Sequence, residues 1–337
     1  MARLRSFSAR QQARAERWLS GSVLQESPLA GSANPPERKG LARDRDSGHI
    51  PKNRTAAGRF IEAVRILDIH AHVGRRLQLN PRMIGYFEET IGPETLRLLD
   101  HITPELFLGY LDQEGVDYCA FLAEYSPETT GVIPNEFIAE FCGSSDRFIP
   151  IGSVDLSSTE DAASQTERCV KELGCRGLKL LPSYGHFYPD DPRILPAYEV
   201  AQDLGIPVMF HTGTSLFPGS RIRYANPLLL DDVAEDFPDL TIVMCHGGRP
   251  FWYTESEWML ARHRNCHIDV TGIPPKQLPE IFPKLEKFSD RFVFGSDWPN
   301  IPSIGRQVQA IRELPLSTSV IERVLWENGA RMLGLDR

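Results

Sequence analysis

The sequence has no apolar run approaching the roughly 20 residues that a membrane-spanning helix needs, which excludes an integral helical membrane protein. It also has no CxxC pair. Six cysteines (Cys119, Cys142, Cys169, Cys175, Cys245 and Cys266) are scattered singly through 337 residues. That pattern argues against a zinc ribbon or a disulfide scaffold and for reduced, mostly buried thiols in a cytoplasmic protein. No glycine-rich phosphate loop follows the first apolar run, so the usual nucleotide-binding signature is missing. No apolar stretch of the kind found in a secretory signal lies near the start. Histidine is scarce, with nine in the chain, which makes their positions informative.

What is present divides in two by charge. Residues 1–60 hold 12 Lys and Arg against 5 Asp and Glu, and the rest of the chain holds 25 against 40. The head is rich in Arg, Ser, Gly and Pro and has little hydrophobic periodicity, a composition that cannot bury enough surface to offset the entropy of ordering. It reads as a basic, disordered extension. The body, residues 61–337, is acidic and offers no attraction for nucleic acid; it reads as one catalytic domain.

From residue 65 onward, short apolar runs alternate with polar, helix-like stretches. The runs are 65–70, 116–122, 148–154, 175–181, 207–211, 241–246, 266–271 and 292–297. Helices are expected at 104–114, 158–173, 193–204, 226–236, 252–264, 278–288 and 319–333. Strands that are apolar without alternation suit a parallel sheet buried on both faces. Eight of them with crossover helices predict an α/β fold, the (β/α)8 or TIM barrel, in a chain of fitting length. A doubly wound open sheet is the competing architecture.

Barrel chemistry sits where strands end and loops begin. The first run ends in "HAH", His70 and His72; the fourth carries Lys179; the fifth ends in His211; the sixth in His246; the eighth in Asp297. Residues i and i+2 of a strand face the same way, so His70 and His72 point into one barrel mouth. With His211 and Asp297 they form three imidazoles and a carboxylate. That set fits one divalent cation, Zn²⁺ best, with Fe²⁺, Mn²⁺ or Co²⁺ as alternatives. A bound ion would make hydroxide available near neutral pH, and Asp297 could accept the water's proton. His246 is open between a second metal site and an acid/base role. Lys179, if carbamylated, would bridge a second ion; unmodified, it would be a fixed cation near the first.

The combination of "DIHAH", "GLKL", "VMFHTG", "YANP", "VMCHGG", "FGSDWP" and "VLWENGARMLGL" resembles the amidohydrolase superfamily. It is most similar to the amidohydrolase-related group that includes aminocarboxymuconate semialdehyde decarboxylase. The resemblance spans roughly residues 65–335. It implies a metal-dependent TIM-barrel enzyme in which His70, His72, His211 and Asp297 bind one metal and His246 is the catalytic acid/base. It also implies a small-molecule substrate, such as a carboxylic acid, and a homodimer, since such barrels are often dimers. The group contains hydrolases and nonoxidative decarboxylases.

The expected activity is hydrolysis of an amide, ester or lactone carbonyl, because attack by metal-bound hydroxide needs only the groups already named. The alternative is a carboxy-lyase acting on an aromatic or unsaturated acid, with His246 helping to protonate the carbon that loses CO₂. A catalytically inactive barrel used as a binding module is the third reading. Among loop residues, Tyr184 in "PSYGHFYPDDP", Arg221 and Arg223 in "SLFPGSRIRYANP", and Trp252 are candidates to touch substrate, the arginines as a carboxylate clamp. Arg75 and Arg76 are similar candidates. Trp298 reads as a buttress behind Asp297.

Overall fold

The computed structural model describes residues 64–90, 92–301 and 303–335. Eight parallel strands form the centre: β1 (Leu67–Ala71), β2 (Tyr118–Leu122), β5 (Phe148–Ile151), β6 (Leu178–Leu180), β7 (Val208–His211), β8 (Ile242–Cys245), β9 (Cys266–Asp269) and β10 (Phe292–Val293). An antiparallel hairpin, β3 (Glu124–Ser126) with β4 (Gly131–Ile133), follows β2 directly. Each of the eight expected apolar runs overlaps one parallel strand, and every residue of β1, β6, β7 and β8 is buried, as strands covered on both faces require.

The ladders run β1-β2-β5 and β10-β9-β8-β7-β6. Two seams join them. Gly152 pairs with Leu178, and the amide of Lys179 donates to the Gly152 carbonyl at 2.7 Å. At the other seam the amide of Ile69 donates to the Phe294 carbonyl, that of Asp297 to His70, and that of His72 to Trp298, at 3.1, 2.9 and 2.7 Å. The sheet is therefore a closed barrel, and the open doubly wound alternative does not hold. β10 is shorter than the run 292–297: past Val293 the chain continues beside β1 but turns at Asp297, whose φ is 63°.

Helices wrap the outside. Pro104–Glu114 starts with the Thr103 side chain accepting from the Leu106 amide and ends at Gly115 in the left-handed region, the usual cap chemistry at both ends. Ala162–Lys171 is capped by Asp161, which accepts from Ser164 at 2.9 Å. The helix expected over 278–288 is only Leu278–Ile281, because Pro283 cannot donate to continue it. The stretch expected as helix 226–236 begins as a 3-10 turn, Pro227–Leu230, before Asp231–Asp236.

The long first loop folds into helices Pro81–Thr90 and Pro93–Leu99. Arg75 holds it in place, donating to the carbonyls of Leu99 and Ile102 at 3.2 and 3.0 Å. Behind the mouth, Trp298 is 1% exposed and meets Phe107 edge-on at 4.8 Å, the buttress expected of it. The six cysteines are free and buried. Among the described residues no helix is long and apolar enough to cross a membrane. The expected disordered head, residues 1–60, lies outside the described residues.

Candidate active site

β1 delivers both histidines of "HAH" to the barrel mouth, and the 294–298 segment brings Asp297 to meet them. One ligand atom from each of His70, His72 and Asp297 lies within 4.8 Å of the others. His72 Nε2 is 3.5 Å from Asp297 Oδ1, and His70 Nε2 is 3.9 Å from it. Burial alone would raise the Asp297 pKa. The hydrogen bond with His72 and the electrostatic influence of the His246 and His70 rings outweigh it and hold the carboxyl well below its usual range, so Asp297 is ionised.

His70 is fixed from behind by Asp269, whose Oδ2 is 2.6 Å from Nδ1. Asp269 ends β9 and is itself held by the Thr271 amide at 2.8 Å and by the Thr271 hydroxyl. Burial would raise the Asp269 pKa too, but His70 and Thr271 pull it below the ordinary carboxylate value. An ionised Asp269 accepts the Nδ1 proton and leaves the His70 Nε2 lone pair facing the mouth, the arrangement by which a carboxylate orients a metal-binding imidazole. Burial and Lys179 lower the His70 pKa to about 4, so the ring is neutral.

His211 is placed differently. It stands outside the cluster of three and is joined to it through His246, whose Nε2 is 3.1 Å from His211 Nδ1. The tautomers follow from the partners. His246 Nδ1 is 3.1 Å from the Thr271 carbonyl, which can only accept, so Nδ1 carries the proton. Burial, His211 and Arg249 drive the His246 pKa well below 6.5, so the ring is neutral and its Nε2 must accept from His211 Nδ1–H. His211 Nε2 is then an unprotonated nitrogen, and it is buried with no hydrogen-bond partner. A buried acceptor left bare costs free energy unless something binds it. That orphaned nitrogen, opening to the same barrel mouth as His70, His72 and the carboxylate of Asp297, fits a single divalent cation.

Lys179 is 1% exposed and its Nζ lies 3.3 Å from His70 Nε2, so its side chain ends against the first histidine of the trio. A second trio, His70, Cys245 and Asp269, also has ligand atoms within 4.8 Å of one another, on the buried side of the same ring. Burial pushes the Cys245 thiol up to about 12.

Of the loop candidates, only Tyr184 reaches this centre. Its ring is 4.7 Å from that of His211, and its hydroxyl donates to Ser215 at 2.9 Å. Arg221 and Arg223 are exposed on the rim, the latter over Tyr224. Trp252 is half-buried beside Phe251. Arg75 is occupied in holding the first loop, and Arg76 pairs with Glu88 at 3.1 Å.

Three carboxyls of the site are absent from the residues singled out in the sequence. Asp269 sits inside the seventh run, where an acid two residues before a threonine carries no motif. Asp68 accepts from the amides of His70 and Ser296 at 3.0 and 2.9 Å, pinning β1 to the 294–298 segment; burial raises its pKa to about 7. Glu124 opens the hairpin that no periodicity announced.

Comparison with known proteins bears on what this centre does. Residues 101–335 match the family model described as Amidohydrolase. The chain is 26% identical over 227 residues to a 2-amino-3-carboxymuconate-6-semialdehyde decarboxylase of Dictyostelium discoideum, covering 56% of this chain and 62% of that one. It therefore spans less than two thirds of that relative's length. It is 24% identical over 251 residues to a gamma-resorcylate decarboxylase of Polaromonas sp. strain JS666, covering 60% and 76%. A solved dihydroxybenzoic acid decarboxylase from Polaromonas sp. JS666, with bound manganese and the inhibitor 2-nitroresorcinol, superposes with a TM-score of 0.63 at 17% identity, covering 81% and 98%. The hydrolase expected from the sequence is overturned here: metal, imidazoles and carboxylate are common to both chemistries, and these relatives are decarboxylases. By its matched model and its barrel, the chain belongs to the amidohydrolase family.

Proposed function

We propose that this protein is a metal-dependent, nonoxidative decarboxylase of a small aromatic or unsaturated carboxylic acid. The two curated relatives, both decarboxylases, support the reaction class. The observation that carries the site is the bare, buried Nε2 of His211 beside the convergent His70, His72 and Asp297.

These four residues would hold one divalent ion, Mn²⁺ or Zn²⁺. When bound, the ion supplies positive charge that holds and polarises the substrate's carboxylate and a neighbouring oxygen. The chain's own residues do the rest. Arg249 is half-buried, donates from one nitrogen to the Gly272 carbonyl at 3.0 Å, and is felt electrostatically by both His211 and His246. It is better placed to receive an anionic substrate than the exposed Arg221 or Arg223. Tyr184 provides a flat wall beside His211.

In the reaction a proton adds to the carbon bearing the carboxylate. The C–C bond then breaks, its electron pair stays with the substrate carbon, and CO₂ leaves. His246 is the group to carry that proton, which it takes up from solvent at Nε2, the nitrogen otherwise bonded to His211. Its neutral ring is rarely protonated, but a base with so depressed a pKa surrenders a proton readily once it has one.

The test is CO₂ release from a panel of hydroxylated aromatic and unsaturated acids by the metal-loaded full chain, alongside a metal count. About one ion per chain with stoichiometric CO₂ and protonated product supports the reading. Absence of CO₂ across the panel from protein with a full complement of metal overturns it.

A further inference from the structure

We propose that Glu124 is a substrate-contacting residue of this site: its carboxylate takes the hydrogen bond of a hydroxyl or amino group that the acid substrate carries beside its own carboxylate. This rests on the decarboxylase reading.

Glu124 opens β3 two residues past the end of β2, at the rim where the other site residues gather. It is 8% exposed. Its hydrogen-bond donor is the hydroxyl of Thr130 on the opposite arm of the hairpin. Among the described residues no lysine, arginine or histidine lies within ion-pair distance of it. A carboxylate has about four lone-pair sites, so Glu124 keeps room to accept a further hydrogen bond beside the one from Thr130. His72 and Lys179 act on its charge, and its charge acts in turn on Tyr184. Glu124 thus lies within electrostatic reach of His72, Lys179 and Tyr184, at the rim where the site residues gather. Burial raises its pKa, while the Thr130 hydroxyl, His72, the Ser126 hydroxyl and Lys179 oppose the rise.

The hairpin is anchored for the purpose. Thr129 donates to the Tyr184 carbonyl at 2.8 Å, and a Cβ on Gly131 would lie 2.7 Å from Leu79 Cα, so the turn packs directly on the first loop.

The chemistry gives a buried acid a use at this position. Adding a proton to a ring or vinylic carbon requires electron release from a substituent, and hydroxyl and amino groups provide it. A carboxylate accepting that substituent's proton in a hydrogen bond increases the electron release as positive charge develops. The substituent keeps its proton, and Glu124 ends the cycle as it began.

The experiment compares binding of 2-hydroxybenzoate and benzoate to the metal-loaded full chain by calorimetric titration, in wild type, Glu124→Gln, Glu124→Asp and Thr130→Val. Thermal unfolding and metal content confirm that each variant is folded and loaded. The wild type should prefer the hydroxylated acid by about tenfold or more. Glu124→Gln should lose most of that preference while holding benzoate within about twofold, and Glu124→Asp should recover part of it. Thr130→Val, which removes only the clamp, should keep it. Equal binding of both acids by wild type, or a preference that survives in Glu124→Gln, overturns the proposal. So does a loss in Thr130→Val as large as in Glu124→Gln, which would make the residue a hairpin clamp. CO₂ release measured on the same samples separates the two readings. Preference without CO₂ from any acid sinks the decarboxylase and leaves the contact standing; CO₂ without preference sinks the contact alone.

Discussion

Nδ1 of His70 and Oδ2 of Asp269 are 2.6 Å apart, a bond made across one intervening strand of the barrel. It fixes which nitrogen of His70 faces the mouth. Asp269→Asn, which puts an uncharged amide at that place, should weaken binding of a divalent ion by about 10- to 100-fold. Competition with a chromogenic chelator reads this directly. An unchanged affinity would mean that the carboxylate serves packing only.

His246→Ala should retain bound metal and lose at least about 10²-fold in turnover, the lower range for a general acid/base. Release of about one equivalent of metal on the same change would make His246 a ligand instead. His72→Ala, in contrast, should abolish metal binding and turnover together.

Gly295 has its Cα pressed against the His70–Asp269–Thr271 cluster. A Cβ there would lie 2.6 Å from His70 Cβ and 2.8 Å from Asp269 Oδ1. Gly295→Ala should cost about 1–3 kcal/mol of stability, as overpacking does, and lower metal affinity as well. Urea unfolding and chelator competition on the same sample test whether the two losses travel together.

Burial lowers the His267 pKa from 6.5 to about 4, against the pull of the Asn265 carbonyl. The unfolded chain therefore binds this proton more readily than the folded one. Its effect on stability is neutral above about pH 6.5, grows unfavourable as pH falls through that value, and levels off below about 4. His267→Gln should shrink the difference in unfolding free energy between about pH 4.5 and pH 7; an unaltered difference would refute the assignment.

All the site residues described above lie within residues 64–335. We propose residues 61–337 as the catalytic unit. Deleting residues 1–60 should leave metal content and CO₂ release unchanged, as measured on the truncated and full-length proteins side by side.

The barrel was legible because its strands are continuous apolar runs separated by helical stretches, a pattern that topology barely disturbs. The histidines were legible for the same reason: a strand end is visible in the sequence, and residues at several such ends must meet once the barrel closes. Asp269 and Asp68 were not, because a carboxylate that supports a ligand from inside a strand has no spacing rule of its own. Glu124 was missed with its hairpin, since "AEYSPETTGVI" has too short a period to announce two three-residue strands. The arginines expected to face substrate are placed differently. Arg221 and Arg223 lie in a suitable loop but stand exposed, whereas Arg249 is half-buried and bonds the Gly272 carbonyl. The reaction itself was beyond the motifs, which hold an ion and leave the choice between hydrolysis and decarboxylation to the rest of the pocket.

The seam that closes the cylinder runs through Asp297, whose amide bonds to the His70 carbonyl while its side chain faces the histidines. Finishing the barrel and bringing Asp297 to His70 and His72 are thus a single mechanical event. An ion gripped there would act as a rivet across the join, and a protein stripped of it should loosen first where the last strand meets the first.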